Sequence, residues 1–434
     1  MQPVTMREVL KLALPSMAFV VLTNAYRSVD QFWIQDVSVE AQAAIGSSVF
    51  VLIAVFSIFQ LTGMGAAPLI ARATGAGDER LRRRILGTAI VATLGLGVLV
   101  SVLLAPLSAR IAWAIGLEGQ AAIECSRYLR VLLWTCLPLA FTPLVDQSFV
   151  AIGDTRTPMW LQGLSLAINI ALTPIFIFTL DLGIAGAALA SNASRLVSTG
   201  LGLVLLARTM GLRGPSFELV ELRRMLRVGT PASLSILLYA AVYWGMLKTS
   251  ISPLGPEVNA ALGIGFSALE GFTWPAFHGV SLAVSSLVGR ALGAGRVDEA
   301  WRSVRLCVPL TVGLGLVATM AFIFLGEPLT GIFTDDPAVH REATTYALIL
   351  GFSQLAVAFE ALEEGVLNGA GDTKAVFWWS VPLNLARIPL AWLFGIYLGF
   401  GAAGIWWAIN AMTWLKAAGK GAWVLRGGWT RLRV

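Results

Sequence analysis

"GTAIVATLGLGVLVSVLLAP", residues 87–106, runs for twenty residues without a charge. A helix of that length rises about 30 Å, the thickness of the hydrocarbon core of a bilayer. The stretch does not alternate apolar with polar residues, as a β-barrel strand of about ten residues would. In lipid each backbone N–H and C=O must find its partner inside the segment, which leaves the α-helix. Similar runs recur along all 434 residues, of which 57% are hydrophobic and only 13% charged, with mean hydropathy +0.76. A soluble chain carries about a quarter charged residues. The sequence therefore reads as an all-α polytopic membrane protein. Its opening, "MQPVTMREVLKLALP", leads from Arg7 and Lys11 straight into a span and lacks a cleavable signal pattern.

Breaks at charged and Gly/Pro-rich joints give twelve spans, near 12–34, 45–70, 85–108, 128–150, 159–180, 184–207, 228–250, 259–288, 306–326, 343–367, 375–398 and 402–418. Of the 31 Lys and Arg, 23 fall in alternate connections that begin with the N-terminal segment, the last group running from Lys416 to Arg433. The opposite connections hold Arg110, Arg127, Arg130 and Arg341, and four bases lie within spans: Arg27, Arg195, Lys248 and Arg387. By the positive-inside rule both termini face the cytoplasm, in a bacterial or archaeal cytoplasmic membrane. The net charge of +6 is then a topology signal with some attraction for anionic lipid, and no nucleic-acid partner is expected. Three cysteines (Cys125, Cys136, Cys307) and two histidines offer neither a disulfide framework nor metal-ligand spacing, and no P-loop appears. No cofactor is expected.

The chain repeats itself. "RATGAG" (72–77) returns as "RALGAG" (290–295), "GDTR" (153–156) as "GDTK" (371–374), and "GIAGAALA" (183–190) as "GAAGIWWA" (401–408), each displaced by 218 residues. An Asn-x4-Pro at Asn169/Pro174 returns at Asn384/Pro389, displaced by 215. Six spans per copy is an even number, so both copies share one orientation, as in parallel-repeat transporters with a substrate site near the bilayer midplane. The expected organisation is an N-lobe over residues 1–207, a cytoplasmic linker over 208–227 and a C-lobe over 228–434.

A charge at mid-bilayer costs at least about 2.5–3.5 kcal/mol on insertion scales, so each requires a partner, a wet cavity or a proton. Six acids lie in spans: Asp30, Asp146, Glu270, Glu360, Glu363 and Glu364. Asp30 follows Arg27 by three residues and the two can pair within one helix. Asp146 has a coupling role or a pairing role with Arg27 or Arg195. In "FEALEEG" (359–365), Glu360, Glu363 and Glu364 share one helical face, with Glu270 placed to face them and Arg387 and Lys248 as candidate bases. Three carboxylates so close need a base or a proton among them, and a structural lock between helices is as open a reading as a functional one. Lys248 stands within a residue of the repeat equivalent of Asp30. Trp274 and Phe277, beside Pro275, can line a cleft for flat aromatic cations, whereas His278 reads as a core residue. Trp378, Trp379, Trp406 and Trp407 read as interfacial anchors or lipid-facing bulk, and Pro15, Pro174, Pro231 and Pro389 as helix hinges.

The aspartate ahead of "AAIGSS" (Asp30, then 43–48), "RATGAGD" after span 2, "AIGDTRTPM" (151–159), "N-x4-P-I-F-I" (169–177) and "GIAGAALA" occur in an order that resembles the multidrug and toxic compound extrusion (MATE) family over essentially the whole chain. The "GDTR/GDTK" loops and short length resemble its prokaryotic DinF-type branch. The resemblance implies two six-helix bundles around a V-shaped cleft and cation-driven export of small organic, often cationic or amphipathic compounds. It implies that Asp30 is the coupling acid of the N-lobe, with Tyr26, Asn169 and Ser191 around it. The pattern departs at Thr173, where the family often has a second aspartate, and Asp146 is the candidate replacement.

The function expected is therefore a secondary active exporter working by alternating access, a monomer, with H+ favoured over Na+ because a hard cation needs several oxygen ligands. A lipid-linked precursor flippase is the first alternative. It would favour a cationic cleft and more spans, whereas acids outnumber bases here. An integral-membrane enzyme is the second, and no nucleophile–base or metal constellation appears. A channel would not need a duplicated two-lobed chain.

Overall fold

The computed structural model describes residues 4–34, 37–115, 117–212, 214 and 216–432, without the side chains of Asn24, Arg27 to Gln31, Val39, Gln42, Ala43, Gly46, Phe50, Ser267 and Ala268. Among the described residues all regular structure is helical. The helices are α1 (Met6–Ile34), α2 (Val39–Ala76), α3 (Glu79–Leu104), α4 (Ser108–Ala114), α5 (Gly119–Trp134), α6 (Leu137–Ile152), α7 (Arg156–Pro174) and α8 (Ile184–Met210). They continue as α9 (Leu219–Met246), α10 (Pro256–Ile264), α11 (Gly271–Gly293), α12 (Val297–Gly331), α13 (Pro337–Gly351), α14 (Gln354–Ala370), α15 (Thr373–Trp392) and α16 (Gly401–Leu425). Each expected span is matched by one helix or by consecutive pieces: α3 with α4, α5 with α6, α10 with α11, and α13 with α14. Among the described residues six helical runs are long and apolar enough to cross a membrane unaided. The pairs α5/α6 and α13/α14 qualify as broken spans, bent by 58° and 55°.

The repeated motifs are helix boundaries. In "GDTR" and "GDTK" the glycine closes a helix in the left-handed conformation, Gly153 at φ 88° and Gly371 at φ 81°, a backbone that side-chain-bearing residues resist. The following aspartate then accepts from the next helix: Asp154 Oδ1 from Arg156 N (3.1 Å) and Thr157 N (3.0 Å), Asp372 Oδ1 from Ala375 N (3.4 Å). In the "RATGAGD" joint, Gly77 ends α2 and Asp78 caps α3.

From the RATGAG/RALGAG joints onward the register of the repeat is 218. Helices α7 and α15 both end in a π-helical turn, Ile175–Thr179 and Leu393–Tyr397. A Cβ on Gly186 would lie 2.6 Å from the Phe176 carbonyl, and one on Gly404 would lie 2.7 Å from that of Phe394. Both glycines fit the same close approach, 218 residues apart. The expected match of Asn169 to Asn384 is therefore corrected: the shared register puts Arg387 opposite Asn169, and the Asn-x4-Pro likeness is a three-residue slip.

Two compact units form, and they are not the sequence halves. One runs to Met17 and resumes at Leu234; the other is Ala18–Ser233. The expected boundaries at 207 and 228 are corrected accordingly. α8 runs to Met210 and α9 starts at Leu219, so most of the supposed linker is helix. In the first unit, Val4, Val9, Leu12 and Ala13 pack with residues of α11, α12 and α14. Val4 N donates to Glu299 (3.0 Å) and Arg302 Nε donates to the Val4 carbonyl (2.8 Å). In the second, Ser233 Oγ donates to the Ser57 carbonyl (2.6 Å) and Glu218 N to Thr88 Oγ1 (3.1 Å). Helices α1 and α9 each divide two residues beyond a proline, Pro15 and Pro231.

Gly404→Ala should lower stability by about 1–3 kcal/mol, the usual penalty for overpacking a close helix contact. Thermal unfolding of the purified protein in detergent checks this, and an unchanged midpoint would show that the Phe394 carbonyl yields freely.

Candidate functional site

One face of α7 carries Gln162, Ser165 and Asn169, spaced three and four residues apart. Each meets a polar group from a neighbouring helix. Gln162 Nε2 donates to Asp146 Oδ2 of α6 at 3.0 Å. Ser165 Oγ bonds the Tyr26 hydroxyl of α1, which also lies 3.1 Å from Ser194 Oγ of α8. Asn169 Nδ2 donates to Ser191 Oγ at 3.2 Å. All seven side chains are buried. The amide oxygen of Asn169 is also buried and accepts no hydrogen bond among the described residues.

Of the residues expected here, the structure joins Asn169 to Ser191 and sets Tyr26 and Asp146 along the same α7 face. The side chains of Asp30 and Arg27 lie outside the described residues. Arg195 does not pair with Asp146: its guanidinium carbon sits 4.3 Å from the centre of the Tyr26 ring, a cation–π arrangement. Asp146 is 6% exposed and makes no ion pair among the described residues, so its carboxylate rests on a neutral amide. Thr173 donates to its own helix, to the Asn169 carbonyl at 2.7 Å.

The other copy answers the same problem differently. At the shared register Glu364 corresponds to Asp146 and Ser380 to Gln162, and Ser380 Oγ donates to Glu364 Oε1 at 3.4 Å. Where α8 has Ser198 and Gly202, α16 has Lys416 and Lys420. Both ammonium groups reach Glu360 Oε1 at 2.8 Å, and Lys420 also reaches Glu364. Lys416 and Lys420 were expected in a connection beyond span 12. α16 instead continues to Leu425 and buries them, because the span 10 acids supply their counter-charges.

Of the expected bases, neither Arg387 nor Lys248 ion-pairs with a span 10 acid among the described residues. Arg387 donates to Thr413 (2.7 Å), and Lys248 lies 5.6 Å from the Trp244 ring centre. Glu270 does not join the three span 10 acids; it accepts a 2.6 Å hydrogen bond from Tyr346. Glu360 and Glu364 take the lysines, while Glu363 remains apart. Trp274 stacks near His278 with ring centres 4.8 Å apart and is partly exposed, but Phe277 is buried and cannot line a cleft. Trp406, expected as an interfacial residue, is buried edge-on against Tyr346.

Two copies of a six-span unit, each with a buried polar site between its own helices, define a membrane transporter of the parallel-repeat type. The MatE family model matches residues 15–175 and 231–393, once in each copy, and the chain belongs to that family. A probable multidrug resistance protein NorM of Thermotoga maritima is 28% identical over all of this chain and 95% of its own length. The multidrug export protein MepA of Staphylococcus aureus is 25% identical over 84% of this chain and 81% of its own. A MOP-superfamily transporter from Pyrococcus furiosus shares the fold with TM-score 0.91 at 21% identity, over 99% of this chain and 97% of that one. A MATE structure in complex with MaL6 gives 0.89 at 22% identity, over 97% and 96%.

Removing Lys420 strands Glu364 and half of the Glu360 clamp. Lys420→Ala should cost about 3–5 kcal/mol, the penalty for breaking a buried pair from one side. Adding Glu364→Ala should return part of it. Equal thermal midpoints for wild type and Lys420→Ala would remove the clamp from the account of stability.

Proposed function

We propose that this chain exports small organic compounds, cationic or amphipathic, from the cytoplasm by alternating access, driven by inward flow of a cation, with H+ favoured over Na+. Family membership and relatives named for multidrug resistance and multidrug export support the export of such compounds. The observation that carries the coupling is Asp146: a buried carboxylate held by the Gln162 amide of α7, with hydroxyls one turn and the Asn169 amide oxygen two turns further along that helix. A carboxylate so placed stores charge only at a cost of several kcal/mol, so loading it with a proton and unloading it on the other side does electrical work. Family likeness adds Asp30, four residues after Tyr26 in the sequence, as the second candidate acid of the N-lobe. A sodium ion would want several oxygen ligands converging at one point, a demand that a single proton on a carboxylate does not make. The excess of Lys and Arg in alternate connections supports an orientation with both termini in the cytoplasm.

The test is ethidium flux in proteoliposomes under an imposed pH gradient without sodium, for wild type, Asp146→Asn and Asp30→Asn. Wild type should accumulate the dye, and each variant should lose at least about tenfold in rate, equivalent to ~1.4 kcal/mol, while still binding it. Wild-type flux that appears only with a sodium gradient would overturn proton coupling, and full flux in both variants would overturn the site.

A further inference from the structure

Arg195 stands near the middle of α8 and brings a full charge to the layer of hydroxyls shared by α1, α7 and α8. Its guanidinium carbon lies 4.3 Å from the centre of the Tyr26 ring, and the Tyr26 hydroxyl is in turn bonded by Ser165 and Ser194. Beyond the helix ladder, the residue's hydrogen bond is one that its carbonyl accepts from Ser198 Oγ (3.2 Å). Among the described residues its guanidinium N–H donors bond nothing and no carboxylate pairs with it. The side chain is half-buried, yet none of its nitrogens is enclosed as the Nε of Arg387 is.

The other copy places an arginine in the same layer by a different route. At the shared register Asn169 corresponds to Arg387 and Arg195 to Thr413, so at this pair of positions each copy has one guanidinium, carried by opposite helices. Arg387 Nη2 donates to Thr413 Oγ1 at 2.7 Å, and Arg387 acts electrostatically on Glu270. Ser165, Ser191 and Ser194 correspond to Leu383, Ile409 and Met412, all apolar. Arg387 thus has an acceptor and a carboxylate in reach, whereas Arg195 has a ring, neighbouring hydroxyls and unused donors. A cation inside a span calls for a counter-charge or a wet cavity, and stacking on a tyrosine meets that demand only in part. The stacking also fills the ring face that would receive an organic cation, so a second cation there is repelled. What the guanidinium lacks is an acceptor, and its planar fork matches the two oxygens of a carboxylate.

We propose that Arg195 recognises a carboxylate on the compound this chain exports, so that the N-lobe favours amphipathic compounds bearing that group. The guanidinium donates to both carboxylate oxygens, the Tyr26 ring holds the guanidinium in place, and the Ser165 and Ser194 hydroxyls hold the ring. No covalent bond forms or breaks. A compound without a carboxylate loses this contact and keeps its others. The inference rests on the export reading and narrows its substrate class, and it is independent of which acid carries the proton.

Equilibrium binding to the full chain in lipid nanodiscs, with empty nanodiscs subtracted, tests it. The probes share one ring system: anthracene-9-carboxylate, 9-anthracenemethanol and 9-anthracenemethylammonium. At neutral pH and without any gradient, wild type should bind the carboxylate at least about tenfold more tightly than the alcohol, the order expected of a charge-assisted pair. Arg195→Gln should lose that preference, and Arg195→Lys, which keeps the charge without the fork, should retain part of it. Tyr26→Leu, which removes the ring against the guanidinium, should reduce the preference and serves if Arg195→Gln does not fold. Wild type without the preference, the preference intact in Arg195→Gln or in Tyr26→Leu, or the ammonium bound more tightly than the carboxylate would overturn the proposal. A carboxylate preference that appears only in Asp30→Asn would overturn it too, by showing Arg195 to be the counter-charge of Asp30. Affinities are read here without flux, so their failure leaves proton coupling through Asp146 standing, and a failure of ethidium flux leaves the carboxylate contact to be read from them.

Discussion

A charge removed from water must find its opposite or a proton, and the interior of this protein is arranged around that requirement. Neither hydrocarbon outside nor a packed helix interface inside stabilises a stray ion as water does. The two copies of the repeat meet the demand in two ways. In one, a carboxylate on α6 rests on an amide and the surrounding hydroxyls are neutral. In the other, lysines have entered at the positions of Ser198 and Gly202 and carry the counter-charge permanently. The two copies thus carry two versions of one polar layer, one with a neutral amide beside its carboxylate and the other with lysines beside its acids.

The same register organises the rest. Glycine closes α6 and α14 in the left-handed conformation, aspartate receives the first amides of the next helix, and a π-helical turn ends α7 and α15 before a glycine of the following helix passes close against it. These are local rules of backbone satisfaction repeated at one interval. They set which faces of α7 and α15 look into each lobe, and therefore which polar side chains meet.

Much of this was legible in the sequence. Uncharged runs of about twenty residues gave the spans, and "GDTR/GDTK" gave the duplication. Asn169 and Ser191 were placed together by family likeness and do bond. The end of span 12 was misplaced because Lys416 and Lys420 look like a membrane-flanking basic cluster. Yet carrying the end of span 6 forward by the repeat interval would have put the helix end at 425, where it falls, and shown the lysines facing the i, i+4 acids of span 10. The slip between Asn384 and Arg387 has the same cure: the 218-residue interval of the motifs on either side of it. No periodicity could have revealed that Phe277 and Trp406 turn inward or that Arg195 covers the Tyr26 ring, because those follow from which helices pack together. The division of α1 and α9 is likewise a tertiary fact.

That division bears on how the chain is made. The N-terminal stretch up to Met17 leaves the ribosome early, but the helices it packs on, α11, α12 and α14, begin more than 250 residues later. During that interval the helices of its final seat do not yet exist. The making of α1 and its final packing are thus separate events in time, and the unit that holds α11, α12 and α14 is completed by a segment made before the whole of the other. A ribosome stalled before α11 would leave that half-helix without its seat, and splitting the gene between the repeats would hand each product the opening of a helix that belongs to the other.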